Sequence, residues 1–528
     1  MERIPRDFEN LSREELLGLI EQLFDRLSES ERRNAELLER LEVQNQRIED
    51  QAQCIKDQAR RIEEQARRIE ELEKRNPTVR LDESYSMQAE ERRQAAASGK
   101  KPKQKSNRRG RINTAEKLAR ATIEDDVWPS QFRRKDCQWK YSRPVWRIID
   151  GQAVLVAYHI YAGPDGRVPQ IPGVPKRGEF GTEIIVSLAY QHYLTGLPLD
   201  TVLGEFSFYW GLKLRKSQAD SMLNRLAREW LPEFDALCQL LAVSTVVYAD
   251  ETSWSINSVW AFLSEKARIT IFGCHKDGET LEVLLKKGDF QGILVSDDAA
   301  VYQGFSTAQK CWAHLIRKAI RLTLLKPERR RYRQFLDSLL DIYRRGKTIA
   351  ADKRLSEAGR RARVEQLIAA VCDCTGARFS DTSAPSDDTI SALSDDIEHE
   401  FFNLTHEIVR LLGEDELFTY AIHPQADGTN NESERTLRHP ALDRATGQTN
   451  KTVSGARRRT VIASVLESLR VHLPQLTLQA VLAEINSWCR TGVSCFRRMV
   501  NTLNLPPLTL PDKIKSPLDL LVPEGDSG

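Results

Sequence analysis

The chain has 528 residues, of which 40% are hydrophobic, and its formal net charge is +2. A chain of this length has room for several buried cores. It contains no run of about eighteen apolar residues, and its first residues are polar and acidic, so we expect neither a membrane span nor a secretory signal. Nine cysteines lie scattered without Cys-x-x-Cys spacing. This pattern suits free thiols in a reducing cytoplasm better than a disulfide framework or a zinc ribbon.

A seven-residue repeat runs from residue 44 to residue 71. Its apolar and small positions are Asn45, Ile48, Ala52, Ile55, Ala59, Ile62, Ala66 and Ile69. Alternating steps of three and four residues define the a and d positions of a coiled coil. We therefore predict that residues 1–76 form a helical segment that drives self-association. The alternative is a single charged helix that folds back on the chain.

The next stretch, residues 77–130, is basic and poor in apolar residues, and it includes GKKPKQKSNRRGR at residues 99–111. Such segments bury too little apolar surface to fold, and clustered Lys and Arg attract polyanions. We predict a flexible linker that contacts DNA phosphates. An ordinary solvated surface is the alternative for any one basic cluster.

Residues 131–180 are predicted to form a small β segment, and residues 181–240 a helical region. Two β-rich runs flank Asp150-Gly151, a strong hairpin signal. Three helices joined by short turns follow, with Ser217 as the N-cap of the third. The pattern alone fits both a helix-turn-helix and a small bundle.

Two later strands end in aspartates. STVVYADETSW carries Asp250, and GILVSDDAAVY carries Asp297 and Asp298. With a helix leading into the second strand, the two can be neighbours in one sheet, and their ends then meet at the edge where α/β sheets place their sites. Clustered carboxylates suit Mg²⁺, and two such ions can clamp both oxygens of phosphodiester chemistry. Otherwise an Asp at a strand end is a turn residue.

A third acid is expected from the stretch NNESERTLR. Asn430 or Asn431 can cap a helix there, which puts Glu432 in the first turn, where the helix dipole explains a carboxylate. Glu434 lies deeper and three residues before Leu437, so it shares an inward face. We predict that Glu434 is the third metal ligand and Glu432 a helix-start residue.

Basic side chains follow the third acid. Those predicted to contact DNA phosphates are Arg435, Arg438, Arg457, Arg458 and Arg459. In CWAH, Cys311 and His314 have the spacing of half a zinc site, without an evident second half. His314 follows a strand, so it either approaches the acids or is a structural histidine.

Between the second and third acids, residues 313–424 are mostly helical in pattern, interrupted by DTSAPSDDTISALSDD, which indicates an exposed loop. We predict an all-α insertion into a catalytic domain formed by residues 241–312 and 425–470. Residues 471–528 are expected to form a C-terminal helix and an irregular tail.

Together the motifs resemble those of the insertion-sequence family sixty-six transposases. The residues that carry the resemblance are YADETSW, VSDDAAVY, KCWAH, NNESERTLR and GQTNKTVSGARRRTVIASVLESLR. It implies a multidomain α/β protein: an RNase H-like catalytic domain with an all-α insertion, preceded by a coiled coil and a helix-turn-helix-like DNA-binding region. The family's DDE acids fall on Asp250, Asp297 and Glu434. Asp298 stands where relatives tend to have Gly, so it competes with Asp297 for the metal.

The resemblance also implies a function. We expect a DNA transposase that binds the ends of its element and, with two Mg²⁺ ions (Mn²⁺ able to substitute), cleaves and transfers strands. The expected partners are transposon-end and target DNA, a second copy of the chain and accessory transposition proteins, in the bacterial cytoplasm at the nucleoid. The alternatives are a metal-dependent RNase H-like nuclease or resolvase, and a non-catalytic DNA-binding accessory protein.

Overall fold

The computed structural model describes residues 113–376 except 287, residues 396–523 except 509, 512 and 513, and residues 12, 13, 18, 27, 28 and 32. The chain divides into two compact units, Met1–Gly110 and Arg111–Gly528. All helices and strands named below belong to the second unit. The predicted coiled coil, most of the predicted linker and the loop DTSAPSDDTISALSDD except its last residue lie outside the described residues.

A small three-stranded sheet opens the second unit. After helix α1 (Thr114–Leu118) come β1 (Ile123–Val127), β2 (Gln138–Ile149) and β3 (Gln152–Ala162), in the order β1-β3-β2. The predicted hairpin is confirmed: β2 and β3 are antiparallel. Asp150 and Gly151 both have positive φ, of 49° and 75°, as a two-residue type I′ turn requires.

The linker prediction is wrong over its last residues. Asn113 caps α1 by accepting the Glu116 N–H at 2.7 Å, and β1 pairs in parallel with β3. Composition misses this strand because β1 is a largely exposed, acidic run whose order comes from pairing with a distant segment.

Three helices follow as predicted: α2 (Thr182–Tyr193), α3 (Leu199–Trp210) and α4 (Lys216–Ala242). The Ser217 cap is wrong. The helix starts at Lys216, two residues before the start that a Ser217 cap implies, and the backbone N–H of its N-cap residue Arg215 donates to the Gln218 side chain at 3.0 Å. All three helices bury side chains in the core that also covers the central sheet.

The central sheet is built from β4 (Val246–Ser253), β5 (Ser258–Ser264), β6 (Arg268–Cys274), β7 (Ile293–Ser296) and β8 (Ala308–Lys310). Their order is β6-β5-β4-β7-β8. Strands β4, β5 and β6 are antiparallel neighbours, whereas β4, β7 and β8 run parallel. Helix α5 (Gly278–Leu285) precedes β7, in agreement with the predicted helix before the second aspartate strand.

The segment between the second and third acids is helical, as predicted. It contains α6 (Trp312–Leu325), α7 (Arg330–Ala351), α8 (Glu357–Thr375), α9 (Asp396–Gly413) and α10 (Thr419–Ile422). These helices have their own hydrophobic core, whose fully buried members include Trp312, Leu339, Val371, Ile408 and Leu411. The insertion therefore has a core separate from that of the sheet.

The chain then returns to the sheet through α11 (Asn431–Ala445) and α12 (Val453–His472). Three hydroxyls on α12, spaced four residues apart, accept alternate backbone N–H groups of edge strand β6: Thr460 from Phe272 at 2.9 Å, Ser464 from Thr270 at 3.0 Å and Ser468 from Arg268 at 2.9 Å. An uncovered edge strand is a site of unwanted pairing. Helix α12 therefore closes this edge.

The C-terminal part is more regular than predicted. It contains α13 (Leu478–Thr491), α14 (Cys495–Thr502) and α15 (Pro517–Leu521). Helix α15 begins with a capping box formed by Ser516 and Asp519 and buries Leu518 and Leu521. The prediction of an irregular tail is wrong there, because buried leucines and a capped start hold a short helix.

Helix α15 also provides a pH-sensitive contact. The Ser516 hydroxyl donates to Asp235 on α4 at 2.6 Å. Burial is the main cause that raises the pKa of Asp235 to about 6, and Asp519 and Glu233 add to it. A folded-state pKa above the unfolded value means that this group's stabilising contribution is complete below about pH 4 and is lost as pH rises through about 6.

We expect Asp235→Asn to raise the free energy of unfolding at pH 7.5 by ~1–3 kcal/mol and to have little effect at pH 4. Asn keeps an acceptor for Ser516 without the buried charge. Urea unfolding of the full-length protein at both pH values measures the effect. Asp200→Asn, at an exposed carboxylate on α3, is the control and should follow the wild type. A lower free energy of unfolding for Asp235→Asn than for the wild type at pH 7.5 would contradict the prediction.

Candidate active site

Asp250 and Asp297 lie level at the carboxyl edge of the central sheet. In the parallel ladder of β4 and β7, the last pair is Tyr248 with Val295. Each aspartate lies two residues beyond its member of that pair: Asp250 is still within β4, and Asp297 directly follows the last residue of β7. The sequence prediction that these strands are neighbours is confirmed.

Glu434 reaches this edge because Asn430 anchors the start of α11. The buried Asn430 side chain donates to the Ala249 carbonyl at 2.7 Å, and its backbone N–H donates to Cys311 Sγ at 3.2 Å. Asn430 is the N-cap residue, one of the two predicted, but its side chain makes no capping hydrogen bond, since its amide bonds to β4 instead. This contact fixes the helix beside the residue that precedes Asp250.

The two glutamates of α11 have different surroundings. The Glu434 side chain is 23% exposed and forms an ion pair with Arg317 at 2.5 Å. The Glu432 side chain is 47% exposed and pairs with Arg268 on β6. Leu437 is buried, in agreement with the predicted inward face.

The three acids interact electrostatically. The pKa of Asp250 is raised to about 7, mainly by burial, and then by the negative charges of Glu251, Asp297 and Glu434. Carboxylates concentrated in this way are stabilised by a bound cation, and their oxygens are the donors that Mg²⁺ prefers. The residues present therefore fit a magnesium site.

Asp297 and Asp298 can now be distinguished. Asp298 forms an ion pair with Arg410 on α9, and Arg410 also bonds Glu414 at 2.5 Å. Asp297 instead accepts the Ala299 N–H at 3.0 Å and contributes to the raised pKa of Asp250. The geometry favours Asp297 as the acid that acts together with Asp250. Asp298 instead connects the sheet to helix α9 of the insertion through its ion pair with Arg410.

Sequence reasoning missed a group around Glu251. This carboxylate is 4% exposed, pairs with Lys276 and accepts the Tyr302 hydroxyl. Burial raises the pKa of Tyr302 well above its usual value, so the phenol remains a donor. The one available signal was the position of Glu251 directly after Asp250.

Sequence reasoning also missed Arg317. It lies three residues after His314 on α6, and this spacing places both side chains on one helix face. His314 Nε2 is 3.6 Å from Glu434, so of the two interpretations of His314 the structure supports approach to the acids. Burial and Arg317 lower the pKa of His314.

The predicted DNA-binding arginines fall into two groups. Arg435 and Arg438 are exposed, and neither makes a hydrogen bond or ion pair within the described part of the chain. Their positions after Glu434 leave both guanidinium groups available to phosphates.

The prediction for the other three arginines does not fit their surroundings. Arg457 bonds Asp519 and the carbonyls of Leu518 and Val522. Arg458 bonds Tyr193 at 2.8 Å and pairs with Asp220, and Arg459 is buried against Asp443. Each guanidinium group has an acidic partner inside the fold, so these residues stabilise helix packing.

Comparison with known proteins identifies the family of this chain. The family model described as Transposase IS66 family matches residues 177–458, more than half of the chain. The chain belongs to the IS66 transposase family. The matched region of the transposase includes the three acids, the insertion and the start of α12, and it confirms the resemblance of the motifs. No curated protein matches the chain.

Membership of this family gives the protein a general role in transposition. Proteins with this role act on nucleic acid. Among the residues that the structure describes, no helix of the transposase has the length and apolar character needed to span a bilayer.

Proposed function

We propose that this transposase binds the ends of its element and catalyses metal-dependent cleavage and transfer of DNA strands. The observation that carries the proposal is the level placement of Asp250 and Asp297 on parallel neighbouring strands, with Glu434 close enough to raise the pKa of Asp250. Three interacting carboxylates at the carboxyl edge of a sheet suit two-metal phosphodiester chemistry.

The sheet supports an RNase H-like catalytic domain. Three antiparallel strands continue into two parallel ones, with Asp250 on the central strand β4. This is the arrangement that the resemblance to the family implies. The insertion enters after β8, between the second and third acids.

Asp250, Asp297 and Glu434 would hold two Mg²⁺ ions, which Mn²⁺ can replace. When bound, such ions activate a water or a 3′-hydroxyl and stabilise the leaving oxygen. The ion pair between Arg317 and Glu434 has to open for Glu434 to serve as a ligand, and the freed guanidinium is then available to a phosphate. Arg435 and Arg438 would orient the DNA backbone.

The proposed partners are the element ends, target DNA and a second copy of the chain joined through residues 1–76, with accessory transposition proteins. We place the reaction at the nucleoid in the bacterial cytoplasm. Phosphate contacts by Lys and Arg supply most of the affinity in such complexes, so binding should weaken steeply with salt.

A cleavage and joining assay tests the proposal. Full-length protein, labelled element ends, target plasmid and Mg²⁺ should yield cleaved ends joined to the plasmid, and a chelator should stop both steps. Asp250→Asn should abolish them while DNA binding persists. Cleavage without joining would favour a nuclease or resolvase. Binding without cleavage by the wild type would favour an accessory protein.

A further inference from the structure

A second set of metal-binding atoms lies beside the acids at the start of α6. The ligand atoms of Cys311, His314 and Glu434 all lie within 4.8 Å of one another. Cys311 is the N-cap residue of α6, and His314 lies in the first turn of that helix. Glu434 on α11 supplies the third ligand atom. The two potential ligands in CWAH are therefore joined by a third from a distant part of the sequence.

The distance between His314 and Glu434 suits a small tetrahedral ion. Two ligands at ~2.1 Å from a tetrahedral ion lie ~3.4 Å apart, and His314 Nε2 is 3.6 Å from Glu434 Oε1. Cys311 is buried and its sulfur accepts the Asn430 N–H at 3.2 Å. Such an outer bond orients a sulfur ligand.

The donor set differs from that of the three acids. Mg²⁺ takes oxygen ligands and avoids sulfur, whereas thiolate and imidazole select Zn²⁺ and similar ions. His314 Nδ1 is buried and makes no hydrogen bond within the described part of the chain, so the ring is not held there by a competing partner. One residue, Glu434, would belong to both sites.

We propose that Cys311, His314 and Glu434 form a Zn²⁺ site, with a fourth position left for water or substrate. Binding displaces Arg317 from Glu434 and takes this carboxylate away from the Mg²⁺ site. Zn²⁺ is then an inhibitor of strand cleavage, a consequence that rests on the proposed function. The site itself does not depend on it.

Cobalt titration of the reduced, full-length protein tests the site without DNA. Co²⁺ should produce a thiolate-to-cobalt charge-transfer band and the visible bands of a tetrahedral complex, and Zn²⁺ should bleach both. Cys311→Ser should remove the charge-transfer band. Loss of a residue that only hydrogen-bonds to a metal ligand typically weakens metal binding by at least ~10-fold. His314→Ala and Glu434→Gln each remove a ligand itself, so each should weaken Co²⁺ binding by at least this factor.

Two matched variants sharpen the test. Cys489→Ser, at an exposed thiol on α13, should leave the spectrum unchanged, which separates the site from adventitious binding by other cysteines. Arg317→Met should tighten Co²⁺ binding because it removes the cation that pairs with Glu434. Circular dichroism of each variant verifies that its fold is retained.

The proposal is overturned if the wild type shows no charge-transfer band, or if the band survives in Cys311→Ser or is lost in Cys489→Ser. Band loss in Cys311→Ser with weaker binding by both the His314 and Glu434 variants supports it. If these spectra appear as expected and the wild type does not cleave element ends in Mg²⁺, the zinc site stands and the proposed function fails.

Discussion

Glu434→Gln is expected to reduce strand cleavage by at least ~100-fold, or ~2.7 kcal/mol of transition-state stabilisation. The substitution preserves size but removes the charge with which Glu434 would bind metal and with which it influences Asp250. Cleavage of labelled element ends in Mg²⁺ measures the loss. DNA-end binding, measured by gel shift, should survive because phosphate contacts by basic residues dominate that affinity.

Glu432→Gln is the matched control on the same helix. Glu432 is half-exposed and pairs with Arg268, so its loss should cost only ~0.3–1 kcal/mol of stability through the helix dipole and leave cleavage within a few-fold of wild type. Equal loss of cleavage in both variants, with folding intact, would show that the two roles are assigned wrongly. Full activity of Glu434→Gln would refute the three-acid mechanism.

Asp297→Asn is the second substitution with a large expected effect. It removes the carboxylate that, like Asp250, lies two residues beyond the last pair of the β4–β7 ladder, so cleavage should again fall by at least ~100-fold. It also removes one of the charges that raise the pKa of Asp250. Single-turnover cleavage at saturating protein separates this loss from weaker DNA binding.

The neighbouring carboxylate provides the comparison. Asp298→Asn should break the ion pair with Arg410, at a cost of ~0–1 kcal/mol because both side chains are partly exposed. Its cleavage should remain within ~10-fold of wild type, a change of ~1.4 kcal/mol. A larger loss in Asp298→Asn than in Asp297→Asn would identify Asp298 as the metal ligand.

Much of the site could be predicted because its signals are local. Asp250 and Asp297 both follow apolar, β-branched runs, and the carboxyl ends of parallel strands meet at one edge. Glu434 lies deeper in α11 than Glu432 and three residues before Leu437, which predicts that Glu434 is the more buried of the two. The exposed fractions of the two side chains agree with this prediction. The Asp150-Gly151 turn is a local signal of the same kind, and it predicted the hairpin correctly.

The errors arise where a side chain's partner lies far along the chain. Arg457, Arg458 and Arg459 form a basic run in the sequence. Their acidic partners, Asp519, Asp220 and Asp443, are contributed by three separate helices. No local pattern distinguishes a basic run that binds phosphates from one whose partners arrive by folding.

One missed element did carry a local signal. Ser516, Pro517 and Asp519 form the start of α15, with a capping box and Pro in the first turn. Ser followed three residues later by an acid, with Pro just inside, is a known helix-start pattern. The surrounding tail is rich in proline, a composition that favours irregular structure.

The insertion between β8 and α11 has a consequence for the order in which the protein is made. Asp297 leaves the ribosome 137 residues before Glu434, since 434 minus 297 is 137. At ~5–20 residues per second this interval lasts ~7–27 s. Throughout it, the nascent chain carries two of the three acids, so under the proposed three-acid mechanism an unfinished or prematurely terminated product should not cleave DNA.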